Sequence, residues 1–324
     1  MENMQKAQLN DTPDINVDLA ENELDDILKR SFRPRTDEAS ATVRRAIGTL
    51  AAYANKGQVK VNRDVVLTIE SLVAEIDEKL SDQMNLILHH KEFQKLESAW
   101  RGLSYLVDNT DANETLKIRV LNISQDELGK TLRRYRGSAW DQSPIFKQVY
   151  EHEYGQFGGE PFGCMIGDYE FDHSPQSVAL LTELAKVAAA AHCPFITSSS
   201  PSIMQMNNWR ELGNPRDIGK IFTTPEYAPW RRLRESNDSR YLVLTLPRFL
   251  SRLPYGAKNH PIDDFAFEEV VSPHASEDFT WANAAYAMGV NINRAFNEYG
   301  WCSRIRGIES GGGRRRTSGL CFSF

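Results

Sequence analysis

The chain has 324 residues, 41% of them hydrophobic and 25% charged, and a formal net charge of −6. That balance suits a globular protein of one large or two ordinary domains and argues against general nucleic-acid binding. No run approaches the roughly 18 apolar residues needed to span a bilayer. The start MENMQKAQLNDTPD lacks a signal peptide's basic and apolar regions, and Cys164, Cys193, Cys302 and Cys321 stand far apart with no CxxC. The expectation is a cytoplasmic protein with reduced thiols, without membrane insertion, disulfide framework or zinc ribbon.

Charge is unevenly spread. Residues 1–30 hold eight acids (Glu2, Asp11, Asp14, Asp18, Glu21, Glu23, Asp25, Asp26) against Lys6, Lys29 and Arg30, whereas residues 303–324 hold five arginines and one glutamate. Residues 1–60 read as a flexible tether with two short helices, because Pro13 and Pro34 interrupt any longer pattern. Leu19, Leu24, Ile27 and Leu28 make a small apolar patch in acidic surroundings. A helix this short is unstable alone in water and is expected to fold against a partner or remain frayed. Val43, Ile47, Leu50 and Ala54 form a second stripe, closed by Gly57.

Residues 61–110 read as a helical segment. Val65, Ile69, Leu72, Ile76, Leu80, Met84 and Ile87 recur at steps of three and four, and Phe93, Leu96, Trp100, Leu103 and Val107 do the same. Each set falls on one helical face, so two docked helices are expected, with His89-His90 as their joint and Trp100 as a packing anchor.

From residue 111 to 307 the pattern becomes α/β. Leu116 to Ile123 (LKIRVLNI) alternates and is rich in branched residues, which predicts a strand. Ser124 and Glu127 form a capping-box pair opening a helix through Arg136. Ser143 caps a helix from Pro144 to Tyr154. Phe162 to Tyr169 is expected as a buried strand, Ser177 to His192 as a helix, and Phe195 to Ser198 and Tyr241 to Leu246 as further strands. Irregular chain and short helices should fill Ser199 to Arg240. A last packed helix carries Trp281, Ala285, Met288, Ile292 and Phe296, capped by Asp278 or Thr280. Strands alternating with helices argue for some parallel pairing.

Chemistry is sparse. His89 and His90 lie about 100° apart on a helix and cannot share an ion as histidines at i and i+4 do. His192-Cys193 invites a nucleophile, but a thiol before Pro194 at a helix-to-strand corner reads as a small buried hydrophobe. Asp168, Glu170 and Asp172 follow a strand end, where α/β folds place catalytic groups. With His173 they form the enzymatic alternative, which would require a divalent metal and a shared pocket. No phosphate loop or GxSxG elbow accompanies them, so solvated loop acids are the simpler reading. Ser198-Ser199-Ser200-Pro201 reads as a polar turn. Arg314-Arg315-Arg316 after Gly311-Gly312-Gly313 offers phosphate contacts in a nucleic-acid reading, but it fits a flexible tail better.

Several segments carry a resemblance: LDDIL at Leu24 to Leu28, Ile76 to Leu106 with LHHKEFQKLESAWRGLSYLV nearby, GEPFGCMIGDYEF up to Phe171, FLSRLPYG from Phe249 to Gly256, and WANAAYAMGVNINRAFNEYGWC from Trp281 to Cys302. Together they span nearly all of Leu24 to Gly307 in family order. The chain resembles the TssC/VipB family, the large subunit of the type VI secretion contractile sheath. The resemblance implies an α/β fold, a contractile tail-sheath-like core of mixed sheet and helices preceded by N-terminal helices.

It also implies a structural role without enzymatic activity or cofactor. Such subunits pair with a small sheath subunit (TssB/VipA family) and self-assemble into a helical tube around an Hcp inner tube. Contraction of that tube drives effector delivery, and a ClpV-type ATPase then disassembles it. On this reading Leu24, Ile27 and Leu28 are the apolar positions that the ATPase recognises. Residues 308–324 (ESGGGRRRTSGLCFSF after Ile308) depart from the family's continuation, which supplies strands between neighbouring subunits. They are read as a frameshifted or prematurely ended tail, and the chain is expected to pair poorly into sheaths.

Overall fold

The computed structural model describes residues 41, 42, 45, 48, 49, 65–213, 218–262, 265, 267–272, 275–303 and 305. Leu24, Ile27, Leu28 and the arginine tail lie outside the described residues. The chain divides into two compact units, Met1–Lys79 and Leu80–Phe324. No helix among the described residues is long and apolar enough to cross a membrane.

Helix α1 runs over Val65–Leu88 and α2 over Lys91–Asp108. The break falls at His89-His90, as the sequence predicts: His90 takes the N-cap position of α2 in an extended conformation, and its carbonyl accepts from the Gln94 amide at 2.9 Å. Helix α3, Gln125–Arg134, opens on the complete capping box of Ser124 and Glu127. Two orphan amides at the helix start are thereby satisfied. Ser143 caps one α-helical turn, Pro144–Phe146, which widens to a π-helix over Lys147–Tyr154.

Strand β1, Met165–Phe171, is followed by α4, Pro175–Ala190, with Ser174 as N-cap and Pro175 at the first position. Strand β2 is Phe195–Ser199. Short helical pieces then lead to α5, Ala228–Glu235, and to β3, Leu242–Thr245. A strap beginning with β4, Phe249–Leu250, returns through β5, Trp281–Ala282, to α6, Ala284–Tyr299. Asn283 caps α6 by accepting from the Ala285 amide, so the helix starts later than its apolar spacing implied. Trp281 belongs to β5 instead, and the cap is neither Asp278 nor Thr280.

Strands β1, β2 and β3 form one parallel sheet in that order, with Met165 opposite Phe195 and Ile196 opposite Val243. Strands β4 and β5 pair antiparallel. Helix α4 covers one face of the parallel sheet, α6 covers the other, and α2 lies beyond α6. The larger core gathers Leu181, Leu184 and Val187 of α4 with Phe171, Phe195, Leu128, Tyr227 and Trp230. The second core joins Leu106 of α2 to Tyr286 and Val290 of α6 and to Phe249.

Two further sequence expectations fail. Leu116 to Ile123 belongs to no sheet among the described residues, because its backbone finds no neighbouring strand, and Val120 and Leu121 are left exposed. Most of the apolar seam of α2 is also not its docking face, although Leu103 does pack into the second core. Helix α2 packs on α6 through Gly102 and Leu106, flanked by half-buried Ser98 and Tyr105, whereas Leu96 and Trp100 are exposed. The reason is the closeness of the crossing: a Cβ at Gly102 would run into the Tyr286 ring, and one at Gly289 would meet Ile166 and lie 3.1 Å from Leu106 Cδ1. Small residues set this contact, and a periodicity of large apolar residues does not register them.

Candidate functional site

The three carboxylates of the enzymatic alternative point to different partners. Asp168 stands on the α6 side of β1 and keeps solvent exposure, yet the protein atoms crowded around it raise its carboxyl above the usual carboxylate range despite hydrogen bonds from Asn283 and Tyr286. Glu170 pairs with Arg248, whose Nε donates at 3.0 Å. Burial works against the charged form of Asp172, yet hydrogen bonds from Ser174 and Ser177 outweigh it and hold the carboxyl low. Asp172 accordingly accepts from the Ser174 hydroxyl at 2.6 Å and the Ser174 amide at 3.1 Å. His173 turns to Glu226, with Nε2 to Oε1 at 2.9 Å, and stacks on Tyr227. Each acid is consumed by a structural contact, so the sequence motif does not become a pocket. Among the described residues no group of three or more His, Cys, Asp or Glu is placed to hold a metal ion.

The other sequence candidates resolve the same way. His89 is half-buried, with Nε2 at 3.4 Å from Glu269, and His90 is exposed. One histidine packs and one faces solvent, as expected of a joint. Cys193 is fully buried, and burial, helped by neighbouring Cys164, pushes its thiol up to about 12. A thiol that resists ionisation is a poor nucleophile. The adjacent His192 turns away to the Tyr241 hydroxyl at 2.9 Å. Ser198 and Ser199 are buried in β2, and Ser200 caps the short helix Pro201–Met204.

Sequence reasoning missed a buried ion network that clamps the strap onto α2. Arg252, 8% exposed, donates to Glu97 at 2.7 Å and to Glu269 at 2.5 and 3.1 Å. Glu97 also accepts from Arg101 at 2.7 Å, and Arg101 reaches the Tyr255 hydroxyl at 2.7 Å. Burial opposes the charge on Glu97, but Arg252 and Arg101 overcome it and keep the carboxyl below its ordinary range. Pairing every charge is what makes such a network tolerable inside a protein. Its only local trace in sequence is the i, i+4 spacing of Glu97 and Arg101; the strap partners are more than 150 residues away.

What remains is a surface. With the ion network, Gly102 and Leu106 turned inward, three large apolar residues of α2 face out: Leu96 is 57% exposed, Trp100 67% and Val107 47%. Phe93 lies at the edge of the same stripe, and Leu80, Met84, Leu86 and Ile87 at the end of α1 are exposed as well. Apolar stripes of this length are unusual on a lone soluble protein and mark places where another chain docks. Tryptophan is among the residues that dominate such contacts.

Comparison with known proteins agrees with a docking role. A family model described as the EvpB/VC_A0108 (VipB) tail sheath N-terminal domain matches residues 70–323. The type VI secretion system sheath protein TssC1 of Pseudomonas aeruginosa is 60% identical over 286 residues, which are 88% of this chain and 57% of that protein. The chain therefore spans a little over half the length of its curated relative. A tail sheath domain is a structural component, which accounts for carboxylates and thiols committed to packing. By this match over most of its length, the chain belongs to the VipB (TssC) family of tail sheath proteins.

Proposed function

We propose that the chain serves as the large subunit of a type VI secretion sheath in the cytoplasm, pairing with a small sheath subunit of the TssB/VipA kind. The heterodimers would assemble around an Hcp inner tube and contract to drive effector delivery. The observation that carries this reading is the outward apolar stripe of Leu96, Trp100 and Val107 on a helix whose opposite side is already packed. A surface this apolar is stabilised by a partner that removes it from water. Residues 1–60 would act as a tether carrying Leu24, Ile27 and Leu28 to a ClpV-type ATPase. The segments 61–110 and 111–307 would form the subunit body, ahead of an atypical tail at 308–324. The carboxylate enzyme gains no support, because Asp168, Glu170 and Asp172 are each engaged separately.

The test is co-expression of the 324-residue chain with a small sheath subunit. The two are expected to co-purify, and Leu96→Glu in the stripe is expected to abolish co-purification while leaving the thermal midpoint unchanged. Undiminished pairing by the Leu96→Glu variant would sink the assignment of this face.

A further inference from the structure

We propose that the strap is a releasable latch: its two limbs, residues 251–256 and 267–272, leave the surface of α2 as one unit and dock again, while the parallel sheet and both cores stay folded.

The limbs are tied to each other. The Glu269 amide donates to the Tyr255 carbonyl at 2.9 Å, the Tyr255 amide to the Glu269 carboxylate at 2.9 Å, and the Ala257 amide to the Glu268 carboxylate at 2.9 Å. Arg252 reaches across to Glu269, and its guanidinium lies over the Tyr255 ring at 4.5 Å from the centroid. Phe267 is buried, and its ring partners are Tyr255 and Phe265 of the strap itself. Limbs joined in this way move together.

The neck of the strap is fixed independently. Strand β4 pairs with β5, and the Ser251 amide and hydroxyl both donate to the Thr280 carbonyl, at 2.9 and 2.7 Å. Phe249 and Ala282 at this neck belong to the second core. A loop whose ends are held together and whose side chains pack on one another is a compact unit in its own right. It can therefore detach without drawing out the chain on either side.

What holds the limbs down is polar. Among the described residues, Arg252 pairs with Glu97, the Tyr255 hydroxyl accepts from Arg101, Glu269 faces His89 at 3.4 Å, and the Val270 amide donates to Asn85 Oδ1 at 3.0 Å. No limb residue belongs to either hydrophobic core. Segments with few core contacts open at lower free energy than the core itself. Release also returns Glu97, Arg252 and Glu269 to water, and regained hydration offsets much of the lost pairing. The result is a contact that is specific when closed and reversible. Opening bares Glu97, which follows Leu96 in the chain, and so changes the charge beside the exposed stripe of α2. The latch stands whether or not a subunit docks on that stripe.

Amide hydrogen exchange of the 324-residue chain, followed by mass spectrometry in urea below the unfolding midpoint, tests the latch. Peptides covering the two limbs should open with matching free energies and depend on urea at least ~3-fold less steeply than peptides from β2 and α4. Arg252→Met removes the cation shared by Glu97 and Glu269. It should speed exchange in both limbs at least ~10-fold while changing β2 and α4 by less than ~2-fold. Glu97→Gln, which leaves Arg252 its pairing with Glu269, should act in the same direction but more weakly. Limbs that exchange only together with the sheet as urea rises would overturn the proposal. So would an Arg252→Met variant that leaves the limbs unchanged, frees one limb without the other, or accelerates the sheet as much as the limbs. Failure of both variants to fold would also reject it, because the strap would then belong to the global folding unit.

Discussion

Gly102 decides which side of α2 is core. Glycine inside a helix ordinarily costs about 1 kcal/mol relative to alanine, so Gly102→Ala should stabilise the chain if the site had room. It has none, because the new methyl would meet the ring of Tyr286, itself buried between α2 and the sheet. Overpacking a tight contact costs about 1–3 kcal/mol, and the two effects have opposite signs. The crowding term should win. Urea unfolding is expected to show Gly102→Ala less stable than the parent by about 1 kcal/mol; a gain in stability would mean that the ring yields freely and the crossing is not set by this glycine.

At the scale of elements, the sequence was most legible where a local rule has one outcome. The capping box at Ser124 and Glu127, the Ser143-Pro144 start and the break at His89-His90 all sit where their residues place them. Strands β1, β2 and β3 were expected within a few residues, since short branched runs between turns have few other uses. Leu116 to Ile123 satisfied the same rule yet formed no strand, because pairing requires a neighbour and local sequence cannot supply one. The clamp of Glu97, Arg252 and Glu269 was invisible for a related reason: it is made between segments far apart in the chain. The apolar patch of Leu24, Ile27 and Leu28 is legible in the residues themselves, but its assignment to an ATPase rests on the family resemblance. A prediction belongs to this scale. Ser124→Ala removes the side-chain acceptor from the Glu127 amide and should cost about 0.5–2 kcal/mol in chemical denaturation. Adding Glu127→Ala should cost much less again, because the two groups form one reciprocal unit. Fully additive losses would show that they act independently.

For the molecule as a whole, stability and assembly are drawn from different apolar residues. The larger core lies between α4 and the sheet, where Leu181 is wholly buried, while Trp100 of α2 is two-thirds exposed. Size alone would rank the tryptophan as the more important packing residue; burial reverses that order. Leu181→Ala leaves a cavity and should cost about 2–5 kcal/mol of folding stability. Trp100→Ala should change folding stability by no more than about 0.5 kcal/mol, yet weaken binding of a small sheath subunit by about 2 kcal/mol or more if the indole anchors the interface. Urea unfolding of each variant alone, followed by calorimetric titration with the small subunit, separates the two roles. Should Trp100→Ala unfold as easily as Leu181→Ala, the stripe on α2 would be part of the fold's own packing and the docking surface would have to lie elsewhere.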